Sequence, residues 1–574
     1  MKYDILLVNA IRNWGVAGEF IKEYLGGRIL ASFLKSNGYE ARVVSDEVAR
    51  VAKFIERLLA DSRVSIIGFY CAYDNCIAVR NLIRELKGRH PEVKMIAGGP
   101  QAVALGVDFL RFTGCAAVVT GEGEMPALEL MNYYIDGTGS LESIKNIKFI
   151  DASGRYIETE ARPPISDLDA LPPSDPSCEL TSVKDRKKRD LGILTGRGCP
   201  YRCSYCYEGA VSKNIRYRSV EKVFEEIDIY RNRYPDINYV QLYDDTFTLD
   251  RARIKKFCAE FKKRGIGWFC EAHILNLYSH PEIISEMVDS GLFCMQIGIE
   301  SGSRKVLEAY NKKIDPEMIL KVVEHSKSAG LKMVTGNFII GGAFESPATI
   351  EESRSLARSI LKEGKGMAEL RTVFLAPYPE TPISRAPEKY GLTPVKNYEE
   401  EKLFSMFDCA FETAEMKRSE IIRAKVDFDK MIEAECRSLV PVLDKTALEN
   451  IWKSYDTGIN LFAIWLEAVF KVEYVRSYMF NAFKSGLPRI ESMSGEEILS
   501  LRPIRTLWPL DRDAGHNARL PEQALDGESF DFLAATSGIY TAGELADKKG
   551  ISRIRAVEMV KDLEKRYLLY LSRY

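Results

Sequence analysis

The sequence is poor in cysteine and in net charge, and each shortage removes a class of protein. Twelve cysteines among 574 residues fall far below the roughly 8–10% of a disulfide scaffold. They are expected to be free thiols or metal ligands in a reducing compartment. Lys plus Arg number 80 and Asp plus Glu 82, a formal charge of -2, which argues against a general nucleic-acid or membrane-surface binder. The longest apolar runs, such as Val64 to Tyr73, are too short or too interrupted for a bilayer, which needs about 18 residues. The start, MKYDILLVN, carries no Arg-rich presequence and no apolar stretch with a cleavage site, so a soluble cytoplasmic protein is expected. No internal repeat or low-complexity tract is visible.

What is present is enough apolar material, 46% of the chain, for about three or four domain cores. The fold expected is α/β. In residues 1–140, apolar runs at Tyr3–Asn9, Ala41–Ser45, Val64–Tyr70, Lys94–Gly98 and Ala116–Thr120 alternate with amphipathic segments. That alternation predicts a doubly wound parallel sheet with ligand loops at the strand carboxyl ends. Residues 141–190 combine a hairpin over Asp151–Gly154 with five prolines between Pro163 and Pro176, read as a linker. Strand–helix alternation returns over 191–395, with strands at Leu191–Thr195, Tyr239–Asp244, Gly267–Glu271, Phe293–Ile299, Lys332–Ile340 and Thr372–Ala376. Six such units suit a partial parallel barrel. Residues 396–574 read as mainly helical; 398–490 are expected, from position alone, to close the substrate side. A helix–turn–helix–strand outline within 525–574 suggests a winged helix.

The most informative segment is Thr195-Gly-Arg-Gly-Cys199-Pro-Tyr-Arg-Cys203-Ser-Tyr-Cys206, just after the first strand of the second block. A structural zinc site wants four ligands. The nearest further cysteine is Cys178, in the linker. Three thiolates on one loop suit a [4Fe–4S] cluster with one iron left open. Three unligated thiols remain the plain alternative.

This motif resembles that of the radical S-adenosylmethionine (SAM) enzymes. The resemblance implies an open iron chelated by the amino and carboxylate groups of SAM, and a cluster electron that releases a 5′-deoxyadenosyl radical. It also implies an external electron donor of flavodoxin or ferredoxin type. Further stretches match this family at successive strand ends. Tyr243-Asp244-Asp245-Thr246 stands where the family binds the SAM amino group, which points to Asp244 and Asp245, although capping the next helix is the alternative. Gln296-Ile-Gly-Ile-Glu300-Ser301 would line the ribose and carboxylate pocket, unless it is a surface turn. Tyr205, Asn337 and Pro377 complete the implied SAM set. His273 would touch substrate or SAM, or be a hydrogen-bonded buried histidine.

The front block resembles the cobalamin-binding domains of one large radical SAM class. The implied contacts are Arg12, Trp14, Tyr70, Tyr73, Asp74, Gly98, Gly99, Gln101, Gly121, Glu122 and Glu124, with Trp14 equally a packing residue. Glycine at such turns lets backbone approach a large ring. The DxHxxG cobalt-ligating pattern is absent, so cobalamin would lack a histidine ligand; a vestigial, empty domain is the alternative.

The resemblance implies methylation of an unactivated carbon or a phosphorus through methylcobalamin. Two other readings stay open: a radical SAM enzyme with a non-methylating outcome, or a zinc-stabilised binding protein with a winged-helix tail. A small molecule or peptide is the expected substrate and nucleic acid is not. The tail binds a leader peptide or merely caps the barrel.

Overall fold

The structure, a computed structural model, describes residues 2–11, 24–61, 64–180, 190–212, 214–395, 406–456, 463–472, 475–476, 478–479, 483, 490, 493–505, 519–520, 523–536, 540–566 and 568–572. The first block is built from β1 (Tyr3–Ile11), α1 (Leu25–Ser36), β2 (Ala41–Glu47), α2 (Val48–Ala60), β3 (Val64–Tyr70), α3 (Cys76–Arg89), β4 (Lys94–Gly98), α4 (Pro100–Thr113), β5 (Ala117–Val119) and α5 (Glu124–Tyr134). These five strands are parallel, in the order β5-β4-β3-β1-β2. Helices cover both faces, so residues of either parity are buried, and β1 reads YDILLVNAI without polar alternation. The order reverses between β1 and β3, which places the ligand crevice at their carboxyl ends. The hairpin of β6 (Ile147–Ile150) and β7 (Tyr156–Glu158) extends the β5 edge antiparallel, and β8 (Glu179–Leu180) joins the β2 edge. Both ends of the expected linker are thereby part of the front sheet.

The second sheet is wholly parallel. It consists of β9 (Asp190–Ile193), β12 (Tyr239–Leu242), β13 (Gly267–Ala272), β14 (Leu292–Glu300), β15 (Met333–Ile340) and β16 (Ala368–Phe374), paired in chain order. Between β9 and β12 lie the ribbon strands β10 (Gly196–Arg197) and β11 (Arg216–Tyr217), with helices α6 (Tyr207–Val211) and α7 (Val220–Arg233). The remaining helices are α8 (Arg251–Arg264), α9 (Ile274–Ser279), α10 (Glu282–Asp289), α11 (Arg304–Ala309), α12 (Pro316–Ser328) and α13 (Pro347–Glu363). Their starts are written in the sequence: Ser219, Asp250, Asp315 and Ser346 each accept a first-turn amide, and Pro316 and Pro347 occupy the position where a missing N–H costs nothing. Trp268, stacked on Phe261 at 4.9 Å, anchors the core between β13 and α8.

The sixth strand starts at Ala368, four residues before the expected Thr372. Glu369 disguised it. This carboxylate is fully buried and accepts the Ile464 and Trp465 amides that open a later helix. After β16 come α14 (Pro382–Arg385), the antiparallel pair β17 (Leu392–Pro394) and β18 (Phe411–Thr413), then α15 (Arg418–Leu439), α16 (Lys445–Asp456) and α17 (Ala463–Phe470). Helix α15 does not lie over the substrate side as expected. It packs on the outer face of the barrel, with Phe428 against Phe338 and Asp429 accepting from Thr372, in the place of a sixth outer helix. In the tail, helices Ala542–Lys549 and Arg553–Lys565 lead to a strand, Leu569–Ser572, that pairs antiparallel with Arg502–Arg505. The winged-helix outline therefore reaches upstream of residue 525. Among the described residues, no helix is long and apolar enough to cross a membrane.

Candidate active site

All three clustered cysteines lie on one excursion, residues 198–215, whose neck is the β10–β11 ribbon. Gly198 opens it at φ 94°; a Cβ there would stand 2.4 Å from the Asn214 carbonyl oxygen, so the neck closes only on glycine. Helix α6 folds back on the loop at Gly209, where a Cβ would meet Tyr201 O at 3.2 Å and Cys203 N at 3.3 Å. Ser204 pins the excursion to the barrel. Its N–H donates to Tyr310 O (3.0 Å), its hydroxyl to Ala309 O (2.9 Å), and its carbonyl accepts from Ile383 N–H (3.1 Å).

Asp244 and Asp245 part company here. Asp244 is buried and holds the neck. It accepts from Thr195 N–H (2.6 Å), Gly196 N–H (3.0 Å) and the Thr195 hydroxyl, with Arg253 Nη1 at 4.0 Å. Arg253 also donates to Thr195 O at 2.7 Å. Asp245 instead faces the excursion. Asp245 is exposed, and partial desolvation in the cleft, then the charges of Glu208 and Asp244, raise its carboxyl above the usual carboxylate range.

Cys199 is buried, and Cys203 and Cys206 are half-buried. Burial raises all three thiols, Cys199 to about 11 and Cys206 to about 12. Among the described residues, no three His, Cys, Asp or Glu side chains converge on a single-ion site. Cys178, the remaining thiol considered for zinc, is buried in the front-block core. Three thiols on one loop, without a fourth ligand, fit a cluster with an open iron better than a closed tetrahedral ion.

Around this loop the strand ends supply polar groups. Glu300 sits at a register shift in β14 with φ 62°, a left-handed conformation that costs of order 1–3 kcal/mol and marks a constrained site. Its carboxylate pairs with Lys312, whose ammonium also reaches Tyr205 Oη at 3.4 Å. A Cβ on Gly298 would lie 2.1 Å from Lys312 Nζ, so glycine makes room for this pair. Gln296 shares that strand face by the period of two, and Asn337 stands opposite Gly298. Ser301 is engaged elsewhere, its hydroxyl 3.1 Å from that of Ser353 on α13. Pro377 is buried beyond β16. His273 caps α9 by accepting the Leu275 N–H at Nδ1 (3.3 Å), which puts the ring proton on Nε2. The ring stacks on Tyr201 at 3.7 Å, and Nε2 is buried with no partner. Burial and the Lys312 charge push its pKa down to about 3, so it is a neutral donor.

The front block meets this site edge on. Tyr73, from the β3–α3 loop, lies 4.6 Å from Tyr378 beyond β16, and Asp74 and Cys206 lie within electrostatic range of the Tyr378 hydroxyl. Tyr70 packs on Tyr24 (5.1 Å), and Asp74 is half-buried beside it. Gly99 has φ 99°, and a Cβ would be 2.6 Å from Cys71 O; the Gln101 amide donates to the same oxygen at 3.2 Å. Gly98 lies beside Val119 O, and Gly121, at φ 63°, packs against the Asn146 side chain, where a Cβ would stand 3.1 Å from Nδ2. These glycines let the turns at the carboxyl ends of β4 and β5 close tightly on their neighbours, at the edge where such sheets take their ligands. Glu122 and Glu124 do not face that edge freely: they pair with Arg197 and Arg216 of the ribbon. Arg12 and Trp14 lie outside the described residues. Sequence reasoning missed Lys312, Arg253, Arg197 and Arg216. Lys312, Arg253 and Arg216 each have further cations within a few residues, and no local signal singles out the one that reaches the site.

Comparisons with known proteins agree with this layout. The radical SAM superfamily matches residues 193–357, and the B12 binding domain matches residues 19–131. An uncharacterized methyltransferase of Pyrococcus horikoshii is 28% identical over 351 residues, covering 58% of this chain and 73% of that protein. The anaerobic magnesium-protoporphyrin IX monomethyl ester cyclase of Rubrivivax gelatinosus is 24% identical over 338 residues, 57% of this chain and 60% of that one. Among solved structures, the cobalamin-dependent S-adenosylmethionine radical enzyme OxsB superposes with a TM-score of 0.61 at 16% identity, covering 98% of this chain and 81% of that chain. A radical SAM domain implies a [4Fe–4S] cluster and SAM, and a B12-binding domain implies cobalamin. The chain therefore carries a radical SAM domain behind a B12-binding domain, in the fold that the OxsB structure shares.

Proposed function

We propose that this chain is a cobalamin-dependent radical SAM methyltransferase acting on an unactivated carbon or a phosphorus of a small-molecule or peptide substrate. The observation that carries the reading is the meeting of Tyr73 and Tyr378 beside Cys206, which brings the front crevice to the cysteine loop. When bound, the cluster supplies the reducing electron for SAM cleavage and cobalamin the methyl-carrying metal. An external reductant of flavodoxin or ferredoxin type completes the system.

The chain's own residues bind and orient. Cys199, Cys203 and Cys206 would hold the cluster. Tyr205, Asp245, Gln296, Glu300, Asn337 and Pro377 would border SAM, with Asp245 opposite its ammonium and Lys312 opposite its carboxylate. Asp244 holds the neck of the loop instead of touching SAM, and Ser301 holds α13. The unpartnered Nε2–H of His273 would donate to substrate or to the SAM carboxylate, since a buried donor without an acceptor is costly. Tyr70, Tyr73, Asp74, Gly98, Gly99, Gln101 and Gly121 would border cobalamin.

A relative named as a cyclase favours one second reading, radical ring formation without methyl transfer. Product mass separates the two. The protein is reconstituted anaerobically with iron, sulfide, hydroxocobalamin, SAM and a reductant. A gain of about 14 Da per event supports methylation, and a loss of two hydrogens supports ring formation or cross-linking. Absence of bound cobalamin under excess overturns the methyltransferase reading. A colourless protein with zinc and no sulfide overturns both.

A further inference from the structure

The neck of the cysteine excursion is also clasped from the front block. Arg197 and Arg216 stand opposite each other across the ribbon, and Arg197 is two residues before Cys199. Two carboxylates from the turn after β5 face them. Arg197 reaches Glu124 at 2.5 Å and Glu122 at 3.1 Å, and Arg216 reaches Glu122 at 2.8 Å. Glu122 also accepts the Ile165 N–H (2.7 Å), whose carbonyl accepts from Arg216 (2.5 Å). The four side chains are largely buried, at 20% exposure or less. Two cations and two anions are thus matched away from solvent, where separating one partner leaves an unpaired buried charge. Such a cluster moves as a unit.

The same turn adjoins the carboxyl end of β4. Gly98 pairs with Val119, the last residue of β5, and Gly121 precedes the two glutamates. A ligand seated at the carboxyl end of β4 therefore lies beside the strand end that carries the clasp. We propose that Glu122 and Glu124 are positioning residues that transmit occupancy of the front crevice to the cysteine loop. The inference rests on the reading of that crevice as a cobalamin site. By linkage, the coupling runs equally from cluster to crevice.

The test is the Glu122→Gln/Glu124→Gln double variant of the full chain, loaded with cluster, with and without hydroxocobalamin. Glutamine keeps the shape and removes the charge. The readouts are iron and sulfide content, amide exchange across residues 196–217, and the paramagnetic resonance spectrum of the reduced cluster. In the wild type, cobalamin is expected to slow that exchange on the order of tenfold and to shift the spectrum. The variant is expected to hold cluster and bind cobalamin, yet to show neither response. Glu124→Gln alone, which spares the Glu122 contacts, is expected to lose part of it and serves if the double variant does not fold. A variant that responds as the wild type does overturns the proposal, as does a wild type that binds cobalamin without any change in 196–217. A wild type that takes up no cobalamin overturns the reading of the crevice along with it.

Discussion

Replacing Asp244 distinguishes a residue that holds the cysteine loop from one that contacts SAM. Asp244 is 4% exposed and accepts from two backbone amides and one hydroxyl, with Arg253 behind. Asp244→Ala strands those donors and leaves the Arg253 guanidinium buried without its counter-charge. Each orphaned donor costs about 1–3 kcal/mol, and breaking a buried pair about 3–5 kcal/mol. The contributions overlap, so the net loss is on the order of 5 kcal/mol, comparable with the whole stability of a small domain. Asp244→Asn keeps an oxygen for the two amides and loses only the charge, at about 2 kcal/mol, near the worth of one hydrogen bond to a charged group. Urea unfolding followed by tryptophan fluorescence measures both. Iron content after reconstitution is expected to fall sharply in Asp244→Ala and to stay near wild type in Asp244→Asn. A SAM contact predicts a different result: full iron in both variants with weakened SAM binding. Wild-type iron and an unchanged urea midpoint in Asp244→Ala would refute the latch.

Further outcomes follow from the same geometry. Cys203→Ala is expected to abolish cluster assembly and deoxyadenosine formation; normal turnover in that variant would refute the ligand assignment. Gly99→Ala forces alanine into a backbone region essentially reserved for glycine (φ 99°, ψ 162°), at about 1–3 kcal/mol, and a Cβ against Cys71 O; equilibrium dialysis should show weakened cobalamin uptake with iron content intact. Glu345 is buried, and its carboxyl is pushed up to about 7 by burial, against the amides of Gly341 and Gly342. The folded state then binds the extra proton between the unfolded carboxyl range and pH 7, so stability falls as pH rises through that window. The full effect is about 3 kcal/mol. Urea midpoints of Glu345→Gln should lose that part of the slope, and an unchanged slope would show the group titrating normally. His273→Ala removes an unpartnered donor and the stack on Tyr201; SAM-cleavage kinetics should fall while iron content holds.

The sequence by itself carried the two parallel sheets and the cysteine loop. Strands buried on both faces are written as apolar runs between capped helices, as in Tyr3–Ile11 and Leu292–Glu300. Three cysteines within eight residues need no tertiary information to share a loop. Glu369 defeated the same reasoning, because a charge in a strand reads as a boundary until the amides that satisfy it are known. The division of labour between Asp244 and Asp245 was also illegible. Both lie in the turn beyond β12, where no strand period fixes a side chain's direction, and only the packed structure shows which faces the loop. Arg197 and Glu124 are 73 residues apart, and Lys312 reaches Glu300 across a turn and a helix. Such ion pairs depend on where two chain segments come to rest, which is why tertiary structure alone decided them.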